Sequence, residues 1–204
     1  QSAEALAAEF GIPRVYDDYT QLIDDDDIDV VDIVTPNHLH REIAVRAMAA
    51  GKHVICIKPL AHTLADAEAM VQAAEDHDRR LFYAENILFT PALRAFKSLL
   101  DAGEYGDAFR FTSLLGVGAP HSPWFFDRGL SGGGCIVDMA VHGLAYLDWF
   151  AGYSGVSSVY ADAGNFDSDI KLVSTAAGEV LPERKVHWIA PPTPGPATIW
   201  AVVR

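Results

Sequence analysis

The sequence predicts an α/β protein that begins with part of a parallel sheet. Three short apolar runs, 29–34, 53–57 and 81–84, have the composition of buried strands. Segments with helical spacing separate these runs, and that alternation is typical of βαβ units, whose strands are parallel. A second, α+β part is expected to follow the third strand.

Helix signals lie before and between the predicted strands. A helix over residues 2–10 is expected to end at Gly11, and a shorter helix covers residues 18–23. The segment 37–50 is predicted to be helical up to Gly51, because glycine readily adopts the left-handed backbone that ends a helix. After the second strand, apolar residues recur at helical spacing; they are Leu64, Ala67, Met70, Val71 and Ala74.

The chain beyond the third strand continues with helical and extended patterns. Thr90 and Pro91 start a predicted helix with one apolar side. Residues 109–117 alternate like a strand with one wet face, and residues 134–150 have a helical pattern. We expect the apolar side of the first of these helices to be buried; its residues are Leu93, Phe96, Leu99 and Leu100.

Composition and charge narrow the classes of function. The chain has 204 residues and a formal net charge of -13, which argues against nucleic acid or an anionic membrane surface as a partner. We identify no apolar run long enough to span a bilayer. Cys56 and Cys135 lack metal-ligand spacing, so the sequence predicts free buried thiols in a reducing, cytoplasmic compartment and no metal site.

Lys58 is the strongest candidate for a catalytic group. It follows the second predicted strand and precedes Pro59, which disfavours a helical backbone at the lysine. The ammonium should therefore project from the carboxyl end of a strand, the edge at which open α/β sheets bind ligands. A solvated loop lysine is the alternative, and the residues alone do not decide between the two.

Asp138 and His142 form a second candidate pair. They stand four residues apart in a helical pattern, hence on one face of a helix. The pair can be a surface ion pair or a buried histidine satisfied by its neighbour. A metal site with His121 as a third ligand has no supporting spacing motif.

Three separated blocks resemble the Gfo/Idh/MocA family, the relatives of glucose–fructose oxidoreductase and inositol dehydrogenase. The blocks are VVDIVTPNHLH (30–40), AGKHVICIKPLA (50–61) and GGGCIVDMAVHGLAYLDWF (132–150). The resemblance spans roughly residues 1–162. It implies a partial Rossmann-like parallel sheet lacking its first βαβ unit, followed by an incomplete α+β domain with a mostly antiparallel sheet.

The resemblance also implies an activity. Members of the family transfer hydride between NAD or NADP and a secondary alcohol of a sugar or cyclitol, and their second domain often forms the subunit interface of a homo-oligomer. In this chain Lys58 would be the general acid/base, His142 would hydrogen-bond the reacting hydroxyl, and Asp138 would orient the imidazole or bind a neighbouring hydroxyl.

Further residues are expected to contact the ligands. The predicted cofactor contacts are Thr35, Pro36, Asn37, His40, Lys58, Glu85 and Asn86. The predicted substrate contacts are His121, Ser122 and Trp124. One position departs from the family pattern, because Ile57 stands where the family usually has a glutamate before the lysine and proline.

The predicted organisation has three parts. Residues 1–88 form a partial nucleotide-binding domain, residues 89–163 a partial substrate and dimerisation domain, and residues 164–204 an irregular proline-rich tail. No glycine-rich phosphate-binding turn precedes Ser2, so we expect this chain to be an inactive fragment truncated at both ends. A non-catalytic carbohydrate- or partner-binding relative and a metal-dependent lyase or hydrolase are the alternatives.

Overall fold

The computed structural model describes residues 2–108, 110, 111, 113, 122–134 and 136–152. Its strands are β1 (Val30–Ile33), β2 (His53–Ile57) and β3 (Leu81–Ala84). Its α-helices are α1 (Ala3–Phe10), α2 (Tyr19–Ile23), α3 (His40–Ala49), α4 (Leu64–Asp76), α5 (Pro91–Asp101), α6 (Arg128–Ser131) and α7 (Val141–Phe150). The 3₁₀ turns are Asn37–Leu39, Asn86–Phe89 and Pro123–Phe126, and a π-helical turn, Ile136–Ala140, precedes α7.

The three strands form one parallel sheet in the order β1-β2-β3. Val31 pairs with Val54, and Cys56 pairs with Tyr83. Helices α3 and α4 make the two crossovers, because parallel neighbours need a long connection. The predicted α/β class with a Rossmann-like parallel sheet is confirmed.

The predicted antiparallel sheet of the second part is not confirmed. The described residues beyond β3 form helices and turns and contain no further strand. Most of the predicted strand 109–117 lies outside the described residues.

One face of the sheet carries the core. Alternate residues of β1 and β2 point to this face, where α3 and α4 cover them. The strand residues are Val31, Ile33, Val54 and Cys56, and the helix residues are Ile43, Ala44, Ala47, Met48, Met70 and Ala73. Their fully or nearly fully buried state follows from the period-two pattern of the strands and the 3.6-residue period of the helices.

The opposite face of the sheet is only partly covered. Val30 is 44% exposed and Phe82 is 48% exposed. Parallel sheets usually have both faces covered, so this face presents apolar surface that no described element covers.

Local signals place the ends of the helices. The Asp18 carboxylate accepts a hydrogen bond from the amide of Thr20 and caps α2, and the Thr63 hydroxyl caps α4 through the amide of Asp66. Gly11 ends α1 in the left-handed region at φ 67°. The ends of α1 and α2 agree with the sequence-based boundaries to within one residue.

Helix α5 begins where it is predicted, but its expected burial is wrong. Phe96 is 46% exposed and Leu99 is 40% exposed, and no residue of α5 is buried. Phe96 packs edge-on against Phe150 at a centroid distance of 5.5 Å. The apolar period identifies which side of a helix is hydrophobic, whereas burial also requires a covering element, which the described residues do not supply.

The 23-residue stretch Arg128–Phe150 is long and apolar enough to cross a membrane by length and composition alone, and its 18-residue window has a mean hydropathy of 1.2. The prediction that no apolar run is long enough to span a bilayer is wrong by this measure. Among its described residues, however, Gly132 interrupts the helix at φ 89°, and the Asp138 and His142 side chains hydrogen-bond to the sheet part of the molecule. These features are those of a helix packed against a domain.

Two contacts join α6 to the sheet part. The Asn37 side-chain amide donates a hydrogen bond to the carbonyl oxygen of Ser131 at 2.8 Å. Gly132 lies so close to the loop between β2 and α4 that a Cβ atom on it would lie 2.5 Å from the carbonyl oxygen of His62. The chain therefore needs glycine at position 132 both for its positive φ and for this close approach.

Replacing Gly132 with alanine should lower the free energy of unfolding. The left-handed backbone costs roughly 1–2 kcal/mol with a side chain, and overpacking against His62 adds roughly 1–3 kcal/mol. Gly11→Ala is the matched control, because Gly11 also has a positive φ but has nothing within 4 Å of its added Cβ. Urea unfolding of both variants measures the difference; equal losses would show that the contact with His62 contributes nothing.

Candidate active site

The candidate site lies at the carboxyl edge of the sheet. Thr35 lies two residues beyond β1, Lys58 follows β2 directly, and Glu85 follows β3 directly. Because the strands are parallel, these residues meet at one edge, which is where ligands bind in open α/β sheets. The segment Ile136–Phe150 packs its polar side chains against this edge.

Lys58 bonds to Asp138 through two donors. Its Nζ atom lies 2.6 Å from Asp138 Oδ1 and 2.8 Å from the Asp138 carbonyl oxygen. The side chains are 18% and 23% exposed, so this ion pair is partly shielded and still reachable. An ammonium has three N–H donors; Asp138 accepts two of them, and no acceptor for the third is found among the described residues.

Glu85 bonds to His142 in a more deeply buried pair. The distance from His142 Nδ1 to Glu85 Oε1 is 2.5 Å, and the two side chains are 10% and 2% exposed. Glu85 also accepts hydrogen bonds from the amide of Ile87 and the hydroxyl of Tyr83, both at 3.2 Å. Burial, the negative charge of Glu85 and this hydrogen bond raise the pKa of Tyr83 above its usual range.

The spacing of Asp138 and His142 thus serves two different strand ends. Asp138 belongs to the π-helical turn and reaches Lys58, whereas His142 belongs to α7 and reaches Glu85. Neither residue is the hydrogen-bond partner of the other. Orientation of the imidazole, which the sequence assigned to Asp138, comes from Glu85 in this geometry.

His40 is enclosed completely, with no exposed surface. Its Nε2 atom lies 2.8 Å from the Thr35 carbonyl oxygen and its Nδ1 atom 3.0 Å from the Pro59 carbonyl oxygen. The imidazole therefore connects the end of β1 with the Lys58–Pro59 turn. Its predicted contact with the cofactor stays a prediction.

Unpaired polar atoms at the same edge suit a bound ligand. The Thr35 hydroxyl, the Nδ1 atom of His38 and the Ser131 hydroxyl are buried and have no hydrogen-bond partner in the described part of the chain. Buried polar groups are normally paired with protein, water or ligand. Asn37 differs, because it is 5% exposed and its amide already bonds to Ser131.

The remaining predicted contacts are placed as follows. Asn86 is exposed at the start of a 3₁₀ turn, and Ser122 precedes the turn Pro123–Phe126. The Trp124 ring is stacked on Phe125 at a centroid distance of 3.8 Å. His121 lies outside the described residues, and the described residues contain no group of three potential ligands that could hold a metal ion.

Cys56 is a buried free thiol, as its apolar surroundings predict. Burial, with a smaller effect of the Asp32 charge, raises the pKa of this thiol to about 12. A thiol with so high a pKa is almost entirely protonated at neutral pH and is a poor nucleophile. Cys135 lies outside the described residues.

Comparison with known protein families shows which family the chain belongs to. A family model described as "Oxidoreductase family, NAD-binding Rossmann fold" matches residues 1–85, and one described as "GFO/IDH/MocA C-terminal domain" matches residues 93–184. The chain belongs to the Gfo/Idh/MocA oxidoreductase family. The second match extends past residue 162, where the resemblance was expected to fade.

Several curated relatives are named as oxidoreductases of sugars or anhydro sugars, and others as dehydrogenases of trans-1,2-dihydrobenzene-1,2-diol. The chain is 42% identical to levoglucosan dehydrogenase of Pseudarthrobacter phenanthrenivorans over 164 residues, which are 78% of this chain and 42% of that protein. It is 37% identical to 1,5-anhydro-D-fructose reductase of Ensifer adhaerens over 140 residues, 68% of this chain and 42% of that one. The chain thus spans less than half the length of these relatives.

Solved structures share the fold. A levoglucosan dehydrogenase in complex with NADH and levoglucosan superimposes with a TM-score of 0.62 at 35% identity, covering 72% of this chain and 41% of that one. An aldose-aldose oxidoreductase from Caulobacter crescentus complexed with glycerol gives a TM-score of 0.64 at 29% identity, covering 79% and 50%.

Replacing His40 with alanine should destabilise the protein. The change removes the ring N–H that one of these carbonyl oxygens accepts and opens a cavity, with an expected loss of roughly 2–5 kcal/mol in the free energy of unfolding. His77→Ala, at the exposed end of α4, is the control and should change stability by less than about 0.5 kcal/mol. Urea unfolding and cofactor titration of both variants separate the two roles: unchanged stability with weakened cofactor binding would make His40 a cofactor contact instead.

Proposed function

We propose that this chain supplies the proton-transfer site of an NAD(P)-dependent oxidoreductase acting on a secondary alcohol of a sugar or cyclitol. The observation that carries the proposal is the Lys58 ammonium at the carboxyl end of β2, held by Asp138 with one donor left for substrate. Family membership supports the cofactor class.

The substrate class follows from the relatives and the polar groups of the site. Relatives named for carbohydrates include levoglucosan dehydrogenase, 1,5-anhydro-D-fructose reductase and the D-glucoside 3-dehydrogenase of Escherichia coli, which is 31% identical over 161 residues. A ring with vicinal hydroxyls offers several donors and acceptors at once. Lys58, Asp138 and His142 provide complementary groups on the protein side.

The residues divide the work of alcohol oxidation. Lys58 takes the hydroxyl proton in its neutral form and returns it in the reverse direction as an ammonium. His142 hydrogen-bonds the reacting or adjacent hydroxyl and so orients the carbon that loses hydride. Asp138 holds the Lys58 amine in place through its carboxylate and its carbonyl oxygen.

The carboxyl edge beyond β1 suits the cofactor. Thr35, whose buried hydroxyl has no protein partner in the described residues, would contact it together with Pro36 and Asn86. A nicotinamide ring, when bound, supplies the acceptor for the hydride of the alcohol carbon. The family description and the NADH complex among the related structures favour NAD over NADP.

Partners and location are part of the proposal. The net charge of -13 favours a small neutral substrate over nucleic acid or an anionic membrane. A homo-oligomeric protein in the cytoplasm is what the family resemblance and the reduced Cys56 support. The division of the chain at residues 88 and 163 stays a prediction.

A non-catalytic relative is the second candidate. Ile57, the last residue of β2, occupies the position at which the family usually has a glutamate. A carboxylate at that point of the carboxyl edge would contribute polar contacts near the cofactor, and the isoleucine lacks them. Turnover of any sugar alcohol by the purified protein decides against this candidate.

In the protein completed at both ends to the length of its relatives, replacing Lys58 with alanine should lower kcat by at least about 100-fold, the low end for a lost general acid/base. The cofactor Kd should change much less, because a dinucleotide is held mainly by the backbone amides of a glycine-rich turn and the helix that follows it. Steady-state kinetics with levoglucosan as the first test substrate and cofactor titration measure the two effects.

Lys52→Ala is the matched control for this prediction. Lys52 precedes β2 at the opposite edge of the sheet, is 7% exposed and donates to the Asp25 carbonyl oxygen at 2.8 Å. Its loss should reduce stability but leave kcat per folded molecule within about twofold. Near-normal turnover of Lys58→Ala would exclude Lys58 as the acid/base.

A further inference from the structure

We propose that Glu85 is a positioning residue that keeps His142 in one tautomer, with the proton on Nδ1 and the lone pair on Nε2. The inference rests on the proposed function, in which His142 meets the substrate hydroxyl. It assigns Glu85 a different role from the cofactor contact that its place in the sequence predicts.

The hydrogen bonds around Glu85 define its charge state. The amide of Ile87 donates to Oε1, the hydroxyl of Tyr83 donates to Oε2, and His142 Nδ1 lies 2.5 Å from Oε1. An ionised carboxylate is acceptor-only and matches these donors without a proton of its own. A carboxylate in this position demands a donor from the imidazole as well.

The tautomer of His142 follows because the Glu85 carboxylate can only accept a hydrogen bond from the imidazole. An unprotonated Nδ1 would set its lone pair against those of Oε1 at hydrogen-bond distance. The bond is therefore made by an N–H on Nδ1, and in the neutral imidazole the lone pair then belongs to Nε2. Nε2 becomes the acceptor for a substrate hydroxyl, which is the role that the proposed function requires of His142.

Burial makes Glu85 suitable as a fixed support. Its side chain is 2% exposed, so solvent does not compete for its oxygens and a substrate hydroxyl does not reach them. The amide of Ile87 belongs to the 3₁₀ turn that directly follows β3 and holds the carboxylate against the strand end. Support of this kind fixes the ring orientation and the tautomer of a functional histidine.

Nitrogen NMR of the histidine side chains tests the tautomer without any turnover. In the wild-type protein, the neutral imidazole of His142 should show a protonated Nδ1 and a deprotonated Nε2. Glu85→Gln should keep this pattern, because the amide oxygen still accepts from Nδ1. Glu85→Ala should lose it and show a mixture of tautomers, with His142→Ala identifying the resonances.

Kinetics provide the second readout. Glu85→Ala should lower kcat about 10- to 100-fold, the range for loss of a group that orients a functional histidine, with a cofactor Kd within about twofold of wild type. Glu85→Gln should restore most of kcat. The double variant Glu85→Ala/His142→Ala should be no slower than His142→Ala, since the two residues act as one unit.

Tyr83→Phe is the matched control. It removes one hydrogen bond from Glu85 without touching His142, so the tautomer and kcat should stay near wild type.

A wild-type His142 protonated on Nε2 would overturn the proposal, and so would a weakened cofactor Kd as the main effect of Glu85→Ala. Turnover is measured on the protein completed to the length of its relatives. If that protein oxidises no sugar, the proposed function fails, while the NMR result still decides the role of Glu85. If Glu85→Ala does not fold, the wild-type and Glu85→Gln spectra decide it.

Discussion

Two carboxylate contacts hold the segment around α7 against the carboxyl edge of the sheet, and the candidate site exists only where they form. Asp138 meets Lys58 across 80 residues of chain, and Glu85 meets His142 across 57. Each contact takes charge out of water, which costs free energy, and removing one partner leaves the other buried and unpaired. The pairs therefore form together with the packing of α7, or neither persists.

The same contacts serve stability and chemistry, so substitutions in them have mixed effects. Lys58 and Lys52 flank β2 and are both largely shielded, yet only Lys58 faces the ligand edge. A loss of activity in a Lys58 variant is therefore interpretable only beside a control variant that loses stability but whose altered residue does not contact the site. Lys52 is such a residue. Because the strands are parallel, the candidate residues all lie at the carboxyl edge of the sheet, and Lys52 lies at the opposite edge.

Local patterns predicted β2, β3 and the ends of α1 and α2, because strand alternation, caps and glycine are properties of neighbouring residues. The lysine before proline also marked the correct edge. The pairing of His142 with Glu85 was missed, since spacing along one helix says nothing about which distant strand end it meets. A glutamate directly after an apolar strand was the available signal. The burial of α5 was wrongly predicted for the same reason, because it depends on another element.

Exposure separates the roles of the two carboxylates. Asp138 is 23% exposed beside an ammonium that is 18% exposed, so a substrate hydroxyl can reach this pair. Glu85 is 2% exposed and accepts hydrogen bonds at both oxygens, so under the proposed function it acts through His142. A site that exchanges a proton needs one group open to the substrate and another held still behind it. The sheet edge provides both, because the Lys58–Asp138 pair at the end of β2 is partly exposed, while Glu85 at the end of β3 is buried beneath α7.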